Sequence, residues 1–398
     1  MTALASCRPA PSTRQGEREA SPKARLQKVN EGILYANQYQ ADWCINAYYP
    51  HLLELEPNHL LCVYRRGAAL YSDDGRIYQL RSTDNGHTWK DEGVVWDGKA
   101  DAITYWYAPT GLTLTPQGEI LLTGFRIHRP TPTALTYNES TRSVLSEEAL
   151  LLRSQDNGRK WTPPQVIPRP SGIHTEISSG VVILNDGSWL IAFDVSKAYD
   201  DPAPLHQYII GRISKDQGKT WNELLTIAGG PQHPKTFWHA RGFVKLADGR
   251  LMTFAWTGDT TGEKFLPLHR VVSDATGRKW SEPESVGIQG QTNWPVDLGH
   301  GRMTLIYSYR ESEKPGEYVA LSEDEGRTWD TEHAVQVWDA YGKESIGAAR
   351  TATYPSGHDN IAYGAPHALR LADGDILTSW WAGQSGQMTC RWCRLRVT

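Results

Sequence analysis

Apolar and polar residues alternate in six stretches of the chain, and each stretch surrounds a tight turn. The stretches read LEPNHLLCVY (55–64), LTPQGEILLTGF (114–125), LNDGSWLIAF (184–193), LADGRLMTFAW (246–256), LGHGRMTLIY (298–307) and LADGDILTSWW (371–381). Alternation with a period of two is typical of β-strands, and short Gly-containing turns between such strands are typical of hairpins. The pattern therefore predicts six β-hairpins distributed along the chain.

A second pattern, S-x-D-x-G-x-x-W, interleaves with the hairpins and occurs five times. We call it the repeated motif; its copies begin at Ser82, Ser154, Ser214, Ser273 and Ser322. An Asp carboxylate can accept backbone hydrogen bonds within its own turn, and Gly supplies a positive φ, so the motif predicts a structural turn. In the fourth copy Ala275 stands at the Asp position, which predicts a turn without a carboxylate.

The two patterns together define a unit of four strands. Each of the first five hairpins, strands A and B, is followed by a strand C, the repeated motif and a strand D. Six such units predict an all-β fold, a six-bladed β-propeller of four-stranded antiparallel blades. The sixth unit lacks strand D, so we expect the apolar segment 31–38, EGILYANQ, to complete it and close the ring. Residues 1–28 are predicted to form a flexible tail and residues 29–398 a single propeller domain.

Composition excludes several classes of function. The net charge of −4 and the dispersed Lys and Arg residues argue against a nucleic-acid partner. No apolar run reaches the roughly 18 residues of a membrane-spanning helix. The polar start of the chain does not resemble a secretory signal, so the default expectation is a cytoplasmic protein, or a secreted one if a leader has been removed. No nucleotide-binding motif or metal-ligand spacing is present; we expect no cofactor and no metal.

The repeated motif and the six hairpins resemble the sialidase (neuraminidase) superfamily, in which this motif is called the Asp-box. The resemblance covers roughly residues 31–398, and it implies a six-bladed propeller that acts on a carbohydrate. Strand parity places the A–B and C–D turns at one end of every blade and the longer connections at the other end. We therefore expect the repeated motif to be structural, and the functional residues to lie where A strands start and B strands end.

The A-strand starts and B-strand ends are rich in aromatic, His and Arg residues, which suit sugar stacking and carboxylate binding. Together with nearby carboxylates, they give two sets of candidates. The candidate catalytic residues are Asp73, Asp74, Asp101, Glu176, His239 and Tyr363. The candidate substrate-binding residues are Arg66, Arg126, Arg241, Arg310, His367, Tyr48, Trp106, Trp238, Trp256 and Trp294.

Sialidases of this fold use three arginines for the substrate carboxylate, a Tyr activated by a Glu as nucleophile, and an Asp as acid/base. The resemblance places Tyr48 and Trp256 at two of the arginine positions and Arg310 at the third. At the nucleophile position it places Ala365, with Tyr363 two residues before it.

The acid/base position of the family falls in the first B–C loop. Asp73 or Asp74 could serve there, with Asp101 as a rival, and Glu176 is the nearest carboxylate to the missing Glu partner. The family chemistry therefore transfers only in part, and a site with fewer guanidinium groups would suit a neutral sugar or a singly charged uronic acid.

Three functions remain open. The first is a glycoside hydrolase, similar to an exo-α-sialidase, that removes a terminal and acidic sugar from a glycan. The second is a polysaccharide lyase for uronic-acid-containing glycans, with His239 or His367 as base and Tyr363 as acid. The third is a non-catalytic carbohydrate-binding propeller. Fold alone does not choose among them.

Overall fold

The computed structural model describes residues 24–38, 45–131, 133–262, 264–310, 314–340, 362–384 and 386–398. These residues form antiparallel β-strands arranged in six sheets of a ring, and one additional two-stranded hairpin. The described part of the chain contains no helix, and hence none long and apolar enough to cross a membrane. The prediction of an all-β, six-bladed propeller is confirmed.

The strands follow one another in chain order. The first strand is β1 (Leu26–Tyr35), which belongs to the last blade. Blade 1 contains β2 (Asn46–Glu56), β3 (His59–Gly67), β4 (Arg76–Ser82) and β5 (Lys90–Trp96). Blade 2 contains β6 (Trp106–Leu114), β7 (Ile120–Ile127), β10 (Glu147–Ser154) and β11 (Gln165–Ile167), with the hairpin β8 (Tyr137–Asn138) and β9 (Ser143–Val144) inserted between its second and third strands.

Blades 3 and 4 have inner strands that are each interrupted once. Blade 3 contains β12 (His174–Ile177) with β13 (Val182–Ile183), then β14 (Trp189–Ser196), β15 (Tyr208–Ser214) and β16 (Glu223–Ala228). Blade 4 contains β17 (Thr236–Trp238) with β18 (Phe243–Lys245), then β19 (Leu251–Gly258), β20 (Phe265–Val272) and β21 (Glu284–Ser285). Blade 5 contains β22 (Asn293–Gly299), β23 (Arg302–Tyr309), β24 (Gly316–Ser322) and β25 (Asp330–Asp339). Blade 6 contains β26 (Tyr363–Arg370), β27 (Ile376–Gln384) and β28 (Gln387–Val397).

The ring is closed by the first strand of the chain. Strand β1 pairs antiparallel with β28 from Leu26 opposite Val397 to Tyr35 opposite Cys390, and so provides the outer strand of blade 6. The predicted closure is confirmed, although the strand begins earlier than the 31–38 segment. Residues 26–28, predicted as part of the tail, belong to β1. Residues 1–23 lie outside the described residues, and the flexibility predicted for them stays a prediction.

The hydrophobic core lies between adjacent blades. Phe254 from β19 and Leu305 from β23, for example, belong to one buried cluster that joins blades 4 and 5. This packing follows from the alternation in the sequence, because the side chains on both faces of a blade meet a neighbouring blade. It leaves the two ends of the ring for turns and loops.

The repeated motif forms a turn that satisfies its own polar groups. In the first copy, Asp84 Oδ1 accepts the Thr88 N–H at 2.9 Å, and the Ser82 hydroxyl donates to the same oxygen at 2.7 Å. The Gly86 N–H donates to Ser82 Oγ at 2.9 Å, and Gly86 has the predicted positive φ of 86°. The turn also contacts the A–B turn of its own blade, since the Asn85 N–H donates to the Asn58 carbonyl at 3.1 Å.

The prediction for the fourth copy is wrong. Although Ala275 occupies the usual Asp position, Asp274 lies one residue earlier and its Oδ1 accepts the Arg278 N–H at 3.1 Å and the Thr276 hydroxyl at 2.8 Å. The turn therefore keeps a carboxylate, and Asp274 Oδ1 also accepts the Lys279 N–H at 3.4 Å, the amide that corresponds to that of Thr88 in the first copy. A short Asp side chain can bond amides at several offsets within one loop, and the fixed spacing of the motif missed this.

Candidate functional site

A pocket lies at the end of the propeller opposite to the tight turns; the empty space in and above it, open solvent included, is about 910 Å³. Six of the predicted site residues line the pocket: Trp106, Glu176, His239, Arg241, Trp256 and Arg310. The lining also includes residues outside the predicted set, among them Tyr49, Tyr71, Phe125, Glu147, Thr292 and Trp381.

Three inner strands place a side chain in the pocket by the same local irregularity. Tyr49, His239 and Ala365 have positive φ values of 55°, 53° and 46°, which is uncommon for residues other than Gly. Each lies where the pairing of an inner strand shifts register or is interrupted, in β2, between β17 and β18, and in β26. Such bulges redirect side chains and are frequent beside functional sites. All three residues line the pocket.

A group of carboxyls lies on one side of the pocket. Glu176 in β12 and Asp194 in β14 are direct cross-strand partners, and Glu147 at the start of β10 accepts the Ile177 N–H. Burial, with the Glu176 charge next, raises the pKa of Glu147 well above its usual value. Burial and the Asp194 charge raise the pKa of Glu176 to about 7. The two glutamates therefore hold a proton at near-neutral pH.

His239 is held by the same aspartate. Asp194 is 1% exposed and accepts the His239 backbone N–H at 3.0 and 3.1 Å through its two oxygens. Its Oδ2 also lies 2.8 Å from His239 Nδ1. This pairing fixes the imidazole orientation and engages Nδ1, so that Nε2 is the ring nitrogen left for the pocket.

Two arginines bring positive charge to the pocket. Arg310 donates from Nε and Nη2 to the Tyr363 carbonyl at 3.2 and 2.8 Å. Gly364 makes this approach possible, because a Cβ at that position would collide with Arg310 Nη2. The Arg241 guanidinium lies 6.0 Å from the centre of the Tyr49 ring.

Tyr49 lies among these charges. Burial raises the pKa of the Tyr49 hydroxyl, and the charges of Arg241, Arg65 and Arg310 act against that increase. The hydroxyl therefore stays protonated at neutral pH, next to the two pocket arginines. The pocket thus combines protonated carboxyls, an oriented imidazole, two guanidinium groups and aromatic walls.

Two other predicted residues adjoin the pocket without lining it. Tyr363 supports Arg310 through its carbonyl, and its own hydroxyl donates to the Tyr309 carbonyl at 2.6 Å. Trp238 is buried against Trp256, with ring centres 5.2 Å apart, and lines a smaller neighbouring pocket.

The predicted carboxylates of blade 1 and the following connection have other contacts. Asp73 forms an ion pair with Arg129 at 3.1 Å, and Asp74 accepts the Ala68 N–H at 3.0 Å. Asp101 binds Arg126 at 2.8 Å and accepts the Tyr107 hydroxyl. None of the three aspartates lines the pocket.

Two predicted arginines are likewise placed outside the pocket. Arg66 forms an ion pair with Asp91 at 2.9 Å and lies over the Tyr78 ring at 3.5 Å. Arg126 contacts Glu148 at 2.7 Å, in addition to its bond with Asp101. Neither arginine lines the pocket.

The remaining predicted residues are packed among the inner strands. Tyr48 is buried edge-on against Trp381, with ring centres 5.3 Å apart. Trp294 and His367 have ring centres 4.1 Å apart, and His367 Nδ1 accepts the Leu52 N–H at 3.4 Å. Burial lowers the pKa of His367 to about 3, so this imidazole is neutral. None of these three residues lines the pocket.

Glu147 is the most informative residue that the sequence did not predict. It opens a C strand, and C strands start at the same end of a blade at which B strands finish. The search of A-strand starts and B-strand ends omitted this third position, although strand parity includes it. The phrase EEALLL, with two carboxylates before a buried strand, carried the signal.

Comparisons with known proteins give two sequence relatives, both sialidases. The chain is 25% identical over 252 residues to a sialidase of Micromonospora viridifaciens, an alignment that covers 56% of this chain and 36% of that protein. It is 24% identical over 226 residues to a sialidase of Paraclostridium sordellii, with 50% and 52% covered. The chain thus spans about a third and about half of the length of these relatives. No protein-family model matches it.

Solved structures resemble the chain over most of its length. A Dyadobacter fermentans protein of unknown function has a TM-score of 0.71 at 18% identity, covering 94% of this chain and 99% of that one. A Penicillium chrysogenum α-L-arabinanase has a TM-score of 0.60 at 17% identity, with 92% and 98% covered. A Hadza microbial sialidase has a TM-score of 0.59 at 17% identity, with 87% and 65% covered. These structures share the fold of this chain, the six-bladed β-propeller.

Proposed function

We propose that the protein is a glycoside hydrolase that removes a terminal acidic sugar from a glycan. One observation carries the proposal: a single pocket joins a protonated carboxyl, an Asp-supported imidazole and two arginines. The sialidases and the arabinanase among the similar proteins support glycoside hydrolysis as the class of reaction.

The substrate sugar would be held by charge and by aromatic contact. Guanidinium groups bind carboxylates through paired hydrogen bonds, so Arg241 and Arg310 would bind the carboxylate of a sialic or uronic acid. Trp106 and Trp256 provide apolar walls against which a sugar ring can pack. Two arginines would suffice for one carboxylate, because each can donate two parallel hydrogen bonds.

The chemistry assigned to the pocket is acid-assisted displacement by water. Glu176 donates its proton to the glycosidic oxygen while the bond from that oxygen to the anomeric carbon breaks. Water forms the new bond to the anomeric carbon and gives its proton to His239 Nε2. Transfer of that proton to Glu176, through solvent, restores both groups. Asp194 stabilises the imidazolium, and a carboxylic acid with a pKa near neutrality suits the role of Glu176.

This assignment differs from the sialidase scheme at the nucleophile. Ala365, to which the resemblance to sialidases assigns the nucleophile position, lines the pocket, and the Tyr363 hydroxyl is bonded to the Tyr309 carbonyl. We therefore assign the attack to water. The acid role goes to Glu176, because Asp73, Asp74 and Asp101 are engaged outside the pocket.

A screen of glycosides with analysis of the products tests the proposal. Aryl sialosides, aryl uronides and aryl hexosides are incubated with the protein, and released sugar is measured by chromatography. We expect release from acidic glycosides and none from neutral hexosides. Thermal stabilisation by the same sugars without turnover would contradict hydrolysis and identify a binding propeller.

A second candidate function is a polysaccharide lyase, which the His239–Asp194 pair and the neighbouring Tyr49 favour. In that reaction His239 would remove the C5 proton of a uronic acid, the C4–O bond would break with a double bond formed between C4 and C5, and Tyr49 would protonate the leaving oxygen. The arginines would neutralise the uronate. The new double bond absorbs ultraviolet light, so an absorbing product from a uronan would favour the lyase over the hydrolase.

A further inference from the structure

Glu317 is a buried carboxyl that takes no part in the proposed reaction. It is the second residue of β24, fully buried, with Ser308 of β23 and Trp338 of β25 as its cross-strand partners. Like Glu147, it lies at the start of a C strand, which is the pocket end of its blade. Its Oε2 atom has no hydrogen-bond partner among the described residues. An unpaired oxygen on a buried carboxyl costs free energy, which a functional role would explain.

Two hydroxyls connect Glu317 to the pocket. Ser308 Oγ lies 2.8 Å from Glu317 Oε1, and Thr292 Oγ1 lies 2.8 Å from Ser308 Oγ. Thr292 Oγ1 also accepts the Ala365 N–H at 3.3 Å. Thr292 and Ala365 line the pocket. The chain of hydrogen bonds therefore runs from the buried carboxyl to the pocket wall.

The Thr292 hydroxyl lies beside Arg310. A Cβ at Gly364 would meet Arg310 Nη2 and, at 3.6 Å, Thr292 Oγ1, so both groups border the same small space. Arg310 also lines the pocket, and its charge acts on Glu317. A ligand carboxylate bound by Arg310 would therefore lie next to the Thr292 hydroxyl.

The protonation state of Glu317 decides which way the two hydroxyls point. A hydroxyl has one proton to donate and two lone pairs. When Glu317 is protonated, it donates to Ser308, which donates to Thr292. The Ala365 N–H occupies the other lone pair of Thr292, so the Thr292 proton is left for the pocket. When Glu317 is ionised, both hydroxyls donate towards it, and Thr292 presents a lone pair to the pocket instead.

Glu317 is uncharged at neutral pH. Burial raises its pKa to about 8, although a hydroxyl hydrogen bond and the Arg310 charge lower it. Of the neighbouring strands, β25 directs the Asp339 charge at Tyr318 on the other side of β24, and β26 directs the Tyr363 hydroxyl at a backbone carbonyl. An uncharged Glu317 leaves the Arg310 charge available to a ligand, whereas an ionised Glu317 opposes it.

We propose that Glu317 is a positioning residue for anion binding in the pocket: in its uncharged form it turns the Thr292 hydroxyl into the pocket and leaves the Arg310 charge uncompensated. This inference rests on the proposed function for the class of ligand, a sugar with a carboxylate. Ionisation of Glu317 reverses both effects, and a bound anion opposes that ionisation in turn. Affinity for the acidic sugar is therefore coupled to one proton on Glu317.

Calorimetric titration of the full chain between pH 6 and 9 tests the coupling. The probes are N-acetylneuraminic acid, glucuronic acid and galacturonic acid, and the wild type is compared with Glu317→Gln. The amide has the shape of the uncharged acid and does not ionise. With a pKa of about 8, only about a tenth of Glu317 is protonated at pH 9. We therefore expect equal Kd values at pH 6 and a wild-type Kd about tenfold that of the variant at pH 9.

The ratio of the two Kd values isolates Glu317, because Glu176, whose pKa is about 7, is present in both proteins. Glu119→Gln is the matched control, since Glu119 also lies beside an arginine, Arg153 at 3.0 Å, but at the turn end. It should reproduce the wild-type Kd at every pH. Thermal melting verifies that each variant folds.

Thr292→Val gives a second measurement that leaves the buried acid unaltered. It removes the hydroxyl and keeps the shape of the side chain, so one hydrogen bond to the ligand carboxylate is lost. We expect its Kd at pH 6 to be about tenfold higher than that of the wild type. A wild-type Kd for this variant would overturn the hydroxyl chain.

The inference and the proposed hydrolase fail in different ways. If an acidic sugar binds but the ratio of Kd values stays at one up to pH 9, the role of Glu317 is overturned and the hydrolase stands. If the ratio changes as expected while acidic glycosides are not hydrolysed, the hydrolase fails and the role of Glu317 stands. If none of the three sugars binds at any pH, the pocket has no anion site and the inference is overturned.

Discussion

The two ends of the propeller shift the pKa values of their carboxyl groups in opposite directions. At the turn end, hydrogen bonds from the Thr220 hydroxyl and backbone lower the pKa of Asp216 to about 2. At the pocket end, burial and a neighbouring charge raise the pKa of Glu176 to about 7. A carboxylate with several donors is an inert part of a turn, whereas a buried carboxyl beside another acid keeps a proton that chemistry can use.

The contrast teaches how repetition and function separate in this molecule. The turn end repeats a self-satisfied loop in five blades, and one copy reaches the same result with a shifted aspartate. The pocket end has different residues in each blade, and Tyr49, His239 and Ala365 have positive φ there where an inner strand shifts register or is interrupted. At the turn end a positive φ recurs at one position of the repeated motif, at Asn85, Asn157, Gln217 and Glu325. The repeated turns belong to the scaffold, and the candidate site is built from residues that differ from blade to blade.

We expect the largest effect on activity from removing the acidic proton of Glu176. Glu176→Gln should lower kcat for aryl glycosides with poor leaving groups by about 10²–10⁴, the usual contribution of a general acid. With a glycosyl fluoride of the same sugar as substrate, kcat should be far less affected, because fluoride leaves without protonation. Asp216→Asn provides the control at the turn end and should keep the wild-type kcat. An equal loss on both substrates would remove Glu176 from the acid role.

The next effect concerns the approach of Arg310 to the last inner strand. Gly364→Ala introduces a Cβ against the guanidinium, so we expect KM for the acidic substrate to rise by about tenfold or more. Gly374→Ala is the matched control, since this glycine also has a positive φ but its Cβ would meet open space. Both variants should melt at lower temperature because of backbone strain. Equal KM values for the two variants would contradict the role of Arg310.

The pH profile tests the raised pKa directly. Glu176 is protonated below about pH 7, so kcat/KM should fall about tenfold per unit as the pH rises above 7. This fall near pH 7 should be absent with the glycosyl fluoride as substrate. A profile that stays flat to pH 9 with an aryl glycoside would mean that Glu176 does not act as the acid.

The smallest effect is expected at the turn end. Burial alone would raise the pKa of Asp84, but hydrogen bonds from Thr88 and Ser82 lower it to about 2, below its unfolded value near 3.9. The stabilisation is present above about pH 4 and is lost as the pH falls towards 2.

Asp84→Ala should therefore cost about 1 kcal/mol of unfolding free energy at pH 7, measured in urea. Asp274→Ala should cost a similar amount in the fourth copy, because its carboxylate bonds the same part of the turn. Neither should change kcat. A neutral Asp274→Ala would show that the shifted aspartate does not replace the missing one.

The sequence predicted the fold well because the fold depends on local, repeated chemistry. Alternating apolar residues and Gly turns specify hairpins without reference to distant parts of the chain. The sixth unit lacked a strand D, and this indicated that an early segment of the chain, now β1, completes blade 6. The site depends on which inner-strand residue a bulge turns toward the axis. Tyr48 and Tyr49 are neighbours with similar chemistry, and only the positive φ at Tyr49 decides which of them faces the pocket.

Ion pairs are the other feature that could not be predicted from the sequence. Arg66, Arg126 and Asp101 have the residue types of a sugar-acid site, but their ion pairs are formed with Asp91, Glu148 and each other. Such pairs join residues that are distant along the chain, so no local pattern reveals them. Glu147 shows the reverse case, a carboxylate in an ordinary strand that tertiary contacts place beside Glu176.

The pairing of β1 with β28 has a consequence for biogenesis. Strand β1 is synthesised before the other strands of the propeller and can pair only once β28 is available, so blade 6 assembles after all other blades have been translated. Contacts between such distant segments are slow to form, and until they do, β28 presents an open edge to other chains. We expect the propeller to be most prone to aggregation at this step, and the late arrival of β28 to limit the yield of native molecules.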